Sequence, residues 1–188
     1  MRQIIERFPE EIVKKAVGIK AIVTDVDGVL TDGGIIYDDT NRELKKFNVK
    51  DGQIIHPLRE NGIIVAAITG RNSEVVKRRL TELSFDYHVH GKLDKLNYIK
   101  EIASKFNLLQ QEICYLGDDL TDMSCLAYAG LSVCPYDALS YVKMHADYVT
   151  DSKGGDGVLR EIADLILASQ EKLTGVIDKF ASRDFKSD

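Results

Sequence analysis

Ala21-Ile22-Val23-Thr24-Asp25-Val26-Asp27-Gly28 runs an apolar segment straight into two carboxylates and a glycine. Strand side chains alternate between faces, so Asp25 and Asp27, two apart, point the same way at the mouth of a buried strand. Gly28 lets the backbone turn tightly beside whatever the carboxylates hold. Two anions this close repel, and they persist together when a cation or a shared proton neutralises them. A metal site or an acid and nucleophile pair are the two readings this stretch allows.

The pattern returns downstream, where Ile113-Cys114-Tyr115-Leu116 leads into Gly117-Asp118-Asp119-Leu120-Thr121-Asp122. Apolar, β-rich runs at Ala21–Thr24, Ile63–Ile68, Tyr87–Val89, Ile113–Leu116 and Leu131–Val133 alternate with helix-patterned stretches near 53–61, 73–83, 92–106, 120–128 and 138–144. That alternation predicts a doubly wound α/β fold, a Rossmann-like parallel sheet with helices on both faces. The carboxyl ends of its strands share one edge, so the two acidic clusters can converge on one site. An all-oxygen set of carboxylates and carbonyls suits Mg²⁺, which keeps waters and works beside phosphate.

The 188 residues suit a single domain, and a 44% hydrophobic composition is ample for one core. A formal charge of −5 argues against nucleic-acid or membrane-surface partners, although a local basic cluster can still hold an anionic substrate. Cys114, Cys125 and Cys134 lack metal-binding spacing and an even count, which predicts free thiols in a reducing compartment. Residues 1–15 carry charges throughout, and no later segment approaches the length of a membrane span. A cytoplasmic protein is expected.

Ile4, Ile5, Phe8, Ile12, Val13 and Ala16 recur at helical spacing, interrupted by Pro9, and predict a broken amphipathic helix. Residues 33–48 break the strand and helix rhythm. Gly34 to Tyr37, a polar Asp38 to Asn41 turn, and Glu43 to Phe47 read as an inserted β-hairpin, too short to be a cap domain. Isolated hairpins are marginal in water, so Ile35, Ile36, Tyr37, Leu44 and Phe47 are expected to bury against another subunit. The last helix runs Val158–Leu167, and residues 172–188 read as a charged tail.

In order along the chain stand Asp25-Val26-Asp27-Gly28-Val29, Thr69, Lys95 and Gly117-Asp118-Asp119 with Asp122. This series resembles the four motifs of the haloacid dehalogenase superfamily of phosphatases, across residues 20 to 150. A longer string, from Leu30-Thr31-Asp32-Gly33-Gly34 through Phe47-Asn48-Val49-Lys50-Asp51-Gly52 to Ile68-Thr69-Gly70-Arg71, is similar to a narrower family within it. That family is the capless, tetrameric 3-deoxy-D-manno-octulosonate 8-phosphate phosphatases. The resemblance implies Asp25 as nucleophile and Asp27 as the acid that protonates the leaving alkoxide and then the base for water. It implies Mg²⁺ on Asp25, Asp118 and the Asp27 carbonyl. Thr69 offers its hydroxyl and neighbouring N–H groups to phosphate oxygens, and Lys95, held by Asp122, neutralises Asp25 and the transferring phosphoryl. Outside this setting, a Thr-Gly pair is a turn, a lysine at a helix start is surface decoration, and Asp25 with Asp27 is a solvated turn.

Substrate contacts are implied at Asp27, Asn48, Val49, Lys50, Asp51, Gly52, Arg71, Arg79 and Lys95, and at His56, where the family commonly has arginine. Arg71 and Arg79 stand two turns apart on the helix expected after Thr69, hence on one face, where forked donors suit a sugar-acid carboxylate or a phosphate. A solvated basic face is the equal alternative. The expected activity is a Mg²⁺-dependent phosphomonoesterase acting on an anionic sugar-acid phosphate, the octulosonate 8-phosphate of lipopolysaccharide precursor synthesis. A nonulosonate 9-phosphate phosphatase and a non-catalytic assembly module are the alternatives, and a homotetramer is the implied state. His88 and His90, alternate on a strand, are read as packing groups, and Asp156 as the cap of the last helix.

Overall fold

The computed structural model describes residues 2–182. Its elements are α1 (Arg2–Ile5), α2 (Glu10–Val17), β1 (Ala21–Thr24), β2 (Ile36–Tyr37), β3 (Glu43–Leu44), α3 (Val49–Glu60), β4 (Ile64–Ile68), α4 (Glu74–Glu82), β5 (Tyr87–Val89), α5 (Lys95–Lys105), β6 (Ile113–Leu116), α6 (Met123–Tyr128), β7 (Leu131–Cys134), α7 (Ser140–Lys143), β8 (Tyr148–Val149), α8 (Val158–Ser169) and α9 (Leu173–Ala181). Six strands form a parallel sheet in the order β5-β4-β1-β6-β7-β8. The chain works outward from β1 to β5, then returns to β6 on the other side of β1. The order therefore reverses between β1 and β6, and the crevice at their carboxyl ends is where ligands bind in sheets of this kind.

The sheet is buried on both faces because alternate residues feed two cores. Ile22, Val65, Cys114 and Val133 meet α2, α3 and α8 on one side, while Val23, Ala66, Tyr115 and Cys134 meet α5 and α6 on the other. Parallel strands sandwiched in this way carry unbroken apolar runs, which is why their positions were readable. The three cysteines are free and buried, and among the described residues no helix is long and apolar enough to cross a membrane.

Several assignments differ from the sequence reading. α3 opens at Val49 rather than near 53, because the Asn48 carboxamide oxygen accepts from the Lys50 N–H at 2.9 Å and caps the helix four residues early. The stretch 120–128 divides into a 3₁₀ turn at Leu120–Asp122 followed by α6, where Asp122 turns its carboxylate inward. β8 was not foreseen, since two residues carry no periodicity. The tail assignment for 172–188 is corrected as far as residue 182, beyond which it lies outside the described residues. There α9 sets Leu173, Val176, Ile177 and Phe180 at helical spacing along a groove they share with Gln53, Ile54 and Pro57 of α3, a stripe hidden among charged neighbours.

The start of α8 depends on a group from elsewhere in the chain. Asp156 does not cap it; Gly157 occupies the N-cap position without a side-chain bond, and Asp51 Oδ1 accepts from the Arg160 N–H at 2.8 Å. Asp51 Oδ2 is buried with no protein partner, and burial pushes the carboxyl up to about 6 against the opposing help of that N–H. A raised carboxyl pKa contributes stability at low pH that is lost as pH rises through the folded value. Relative to Asp51→Asn, the wild type is therefore expected to lose about 3 kcal/mol of stability as pH rises through the window from 3.8 to about 6. Urea unfolding of both proteins at a series of pH values checks this, and parallel profiles would contradict it.

Candidate active site

The end of β1 lies hydrogen-bonded beside the end of β6, with the Asp25 N–H donating to the Leu116 carbonyl at 2.8 Å. From there the Asp25 side chain meets Lys95, the first residue of α5, whose Nζ stands 2.9 Å from Asp25 Oδ1 and 2.7 Å from Asp122 Oδ1. Lys95 is 2% exposed and Asp122 0%. An ammonium so enclosed stays charged only against carboxylates. Burial works against the Lys95 charge, but Asp25 and Asp122 outweigh it and hold its pKa above the ordinary lysine value.

Asp122 is saturated. Its Oδ1 also accepts from the Tyr115 hydroxyl at 2.6 Å, and its Oδ2 accepts from the Asp118 and Asp119 N–H groups at 3.1 and 3.2 Å. Carboxylate oxygens of Asp25, Asp118 and Asp122 all lie within 4.8 Å of one another. Because Asp122 is committed to Lys95 and the backbone, Asp25 and Asp118 are the two with capacity for a cation. Asp118 Oδ1 is buried with no protein partner. Gly28, at φ 97°, leaves the space that Asp118 fills, since a Cβ there would stand 2.1 Å from Asp118 Oδ2. Burial first, then the neighbouring carboxylates, push the pKa values of Asp25 and Asp118 upward despite Lys95. Three carboxylates against one ammonium leave a net negative, desolvated pocket, and a hard divalent cation fits its all-oxygen donors.

Thr69 follows β4, the other neighbour of β1, and its Oγ1 accepts from the Arg71 N–H at 3.3 Å. The Asp27 carboxylate is held by the Lys45 ammonium, which reaches it from the hairpin. Lys45 also stands 3.5 Å from Glu43, and the Glu43 carboxylate accepts from Ser73 Oγ at 2.5 Å and Arg71 Nη2 at 3.3 Å. Sequence reasoning passed over Lys45, Glu43, Ser73 and Tyr115. The available signal was the spacing of Glu43 and Lys45, which turns both to one side of the hairpin while Leu44 points away.

The remaining candidate residues spread over a wider area. Arg71 is not on a helix with Arg79, because Ser73 Oγ accepts from the Val76 N–H and starts α4 only at Glu74. Arg71 instead donates to Glu43 and to the Tyr37 hydroxyl. Arg79 lies over the Phe47 ring at 6.0 Å, in a crevice with Asn48 and Gly52, where a Cβ on Gly52 would stand 2.7 Å from its guanidinium. Asn48 Nδ2 donates to the Gly155 carbonyl at 3.2 Å, and Val49 is exposed. Lys50 lines a surface cleft with Arg7, Asp151 and Asp156. The Asp51 carboxylate is engaged at α8, so its backbone is what it can offer a ligand. His56 pairs with Glu60 at 3.3 Å along the exposed side of α3. His88 Nδ1 and His90 Nε2 meet at 2.7 Å, and burial lowers both pKa values, so they serve each other.

A doubly wound sheet with this acidic crevice is the architecture of a haloacid dehalogenase-like hydrolase, and the profile of that family matches residues 88–162. The octulosonate 8-phosphate phosphatase of Yersinia pestis is 39% identical over 166 residues, covering 88% of this chain and 89% of that protein. Its counterpart in Escherichia coli K12 is 39% identical over 163 residues, 87% of each. A crystal structure of the Moraxella catarrhalis phosphatase, in complex with magnesium ion, phosphate ion and KDO, superposes with a TM-score of 0.89 at 37% identity, covering 92% of this chain and 99% of that one. The chain belongs to the 3-deoxy-D-manno-octulosonate 8-phosphate phosphatase family.

Removing the Lys95 charge should expose the strain this pocket contains. Lys95→Met leaves Asp25 and Asp122 buried without their cation, and about 3–5 kcal/mol of stability should be lost at neutral pH. The deficit should shrink as pH falls below neutral, because burial and Asp122 already push the Asp25 carboxyl up and loss of the ammonium pushes it further, so that protonation removes the unpaired charge. Thermal unfolding at pH 5 and pH 7.5 measures both; an equal loss at the two values would contradict it.

Proposed function

We propose that this chain is a Mg²⁺-dependent phosphomonoesterase that hydrolyses 3-deoxy-D-manno-octulosonate 8-phosphate to the free sugar acid and phosphate. The observation that carries the reading is the cluster of buried Asp25, Lys95 and Asp122 with half-buried Asp118 at the sheet's switch point. Support for the substrate comes from the relatives at 39% identity, which are octulosonate phosphatases. They do not favour the nine-carbon alternative. The intact acidic cluster does not favour the non-catalytic one.

In this reading Asp25 Oδ attacks phosphorus as the bond from phosphorus to the sugar oxygen breaks, and Asp27 gives its proton to that oxygen. The resulting aspartyl-phosphate is attacked by water, whose proton returns to Asp27 as inorganic phosphate leaves. Thr69 and Lys95 hold the phosphoryl oxygens, and Lys95 keeps the Asp25 carboxylate from repelling them. Asp25, Asp118 and the Asp27 carbonyl would hold Mg²⁺. When bound, the ion supplies the positive charge that offsets the carboxylates and the phosphoryl group. Arg71 and Arg79, with Asn48 to Gly52 and His56, form the wider surface assigned to the sugar acid. A cytoplasmic setting agrees with three buried free thiols.

Asp25→Asn should fold as the wild type does and release no phosphate, because an amide keeps the shape but cannot attack phosphorus. Chelation with EDTA should silence the wild type and Mg²⁺ restore it. Phosphate release from the octulosonate ester decides both, and turnover by the Asn variant or in chelator would overturn the reading.

The same proposal includes a homotetramer built on the hairpin. β2 and β3 pair through only Ile36 with Leu44 and Tyr37 with Glu43. Ile35, Ile36, Tyr37 and Leu44 each stand about half exposed, 51–57%, whereas Phe47 packs inward under Arg79. An apolar ribbon of this size needs a partner surface. Ile36→Asp with Leu44→Asp should lower the particle mass in light scattering, and an unchanged mass would refute the hairpin as the interface.

A further inference from the structure

Lys45 is the one lysine besides Lys95 that the described structure buries against a carboxylate of the Asp25 to Asp27 turn, and its side chain is 0% exposed. It sits just after the two-residue strand β3, on a hairpin whose other face is in solvent. Burying an ammonium there is unfavourable unless anions meet it. Two do: Asp27 through Oδ1, and Glu43 through Oε1 at 3.5 Å. Glu43 is itself anchored to the main domain by Ser73 at 2.5 Å and Arg71 at 3.3 Å. The ammonium is thus held from below by Asp27 and from the hairpin by an anchored carboxylate.

The second oxygen of Asp27 completes the observation. Oδ2 is buried and has no protein partner. One oxygen of this carboxylate is tied down, and the other is desolvated and available.

We propose that Lys45 is a positioning residue for the acid and base chemistry of Asp27, anchoring Oδ1 so that Oδ2 faces the leaving oxygen and, later, the attacking water. This rests on the phosphatase reading above. Lys45 does not touch the phosphoryl group in this assignment; it acts through Asp27. The arrangement also ties the hairpin to proton transfer, because Glu43 and Lys45 share one short strand and its continuation. No bond to Lys45 forms or breaks; the proton Asp27 gives to the alkoxide leaves with the free sugar, and the attacking water replaces it in the second step.

The test uses two phosphate esters that differ in their need for a proton. An alkyl ester, octulosonate 8-phosphate, leaves as an alkoxide that must be protonated, whereas 4-nitrophenyl phosphate leaves as a stabilised phenolate. Because kcat/KM reports steps up to the first irreversible one, it isolates phosphorylation of Asp25. Lys45→Met should lower kcat/KM for the alkyl ester by about ten- to a hundredfold, the loss expected for one charge-assisted hydrogen bond, and change the aryl ester much less. Asp27→Asn should show the same contrast, and adding Lys45→Met to it should change kcat/KM for the alkyl ester by less than about twofold. Lys45→Arg, which keeps a cationic donor, should recover part of the alkyl-ester activity. If Lys45→Met does not fold by thermal melting, Lys45→Gln carries the comparison with a neutral N–H donor group in place of the charge. Equal losses on both esters, losses that multiply with Asp27→Asn, or wild-type rates in the Met variant would each overturn the assignment. A wild type inactive on both esters, or a fully active Asp27→Asn, would instead overturn the phosphatase reading and this inference with it.

Discussion

The ammonium of Lys95 between Asp25 and Asp122 is the interaction on which the active-site crevice depends. It joins the end of β1, the start of α5 and the turn after β6 at a point sealed from water. Two carboxylates could not share that space in a low-dielectric interior without a cation. Their placement in turn shapes the surrounding backbone. Asp122 gathers the N–H groups of Asp118 and Asp119 and the Tyr115 hydroxyl, which directs the Asp118 side chain toward Asp25 and against Gly28. The charge that remains after Lys95 is counted is negative, and it gives the crevice its affinity for a cation and, through that cation, for phosphate.

A second layer of charge surrounds this centre. Lys45, Glu43, Arg71, Ser73 and Tyr37 link the hairpin to Asp27 and to the loop after β4 through alternating positive and negative or polar groups. The hairpin has almost no core of its own, so these contacts hold one side of it while Ile36 and Leu44, paired on the opposite side, stay accessible. In the assembly proposed above, the hairpin would contact Asp27 on one side and a second copy of the chain on the other. Assembly of copies through that surface would also limit water near the aspartyl-phosphate.

Much of this was legible in the chain because it follows local rules. The apolar runs of β1, β4, β6 and β7 have the continuity of strands buried on both faces, and the acidic groups directly follow two of them. What escaped notice has equally physical reasons. A capping Asn48 draws α3 forward four residues, and a capping Ser73 holds Arg71 off α4, so spacing along an assumed helix misplaced the arginine relative to Arg79. α9 hid its apolar stripe among charges, and β8 is too short to carry a period.

The sequence by itself determined the fold class, the identity of the acidic groups and the edge of the sheet where they would meet, because strand periodicity and the connection rules of parallel sheets act on neighbouring residues. Only the tertiary structure decided how the charges are shared. Whether Asp122 binds a cation or secures Lys95, whether Asp51 faces a ligand or caps α8, and which lysine reaches Asp27 depend on distances of a few ångströms between residues far apart in the chain. Electrostatic energies inside a protein change steeply over such distances and with burial, and no pattern of adjacent residues encodes them.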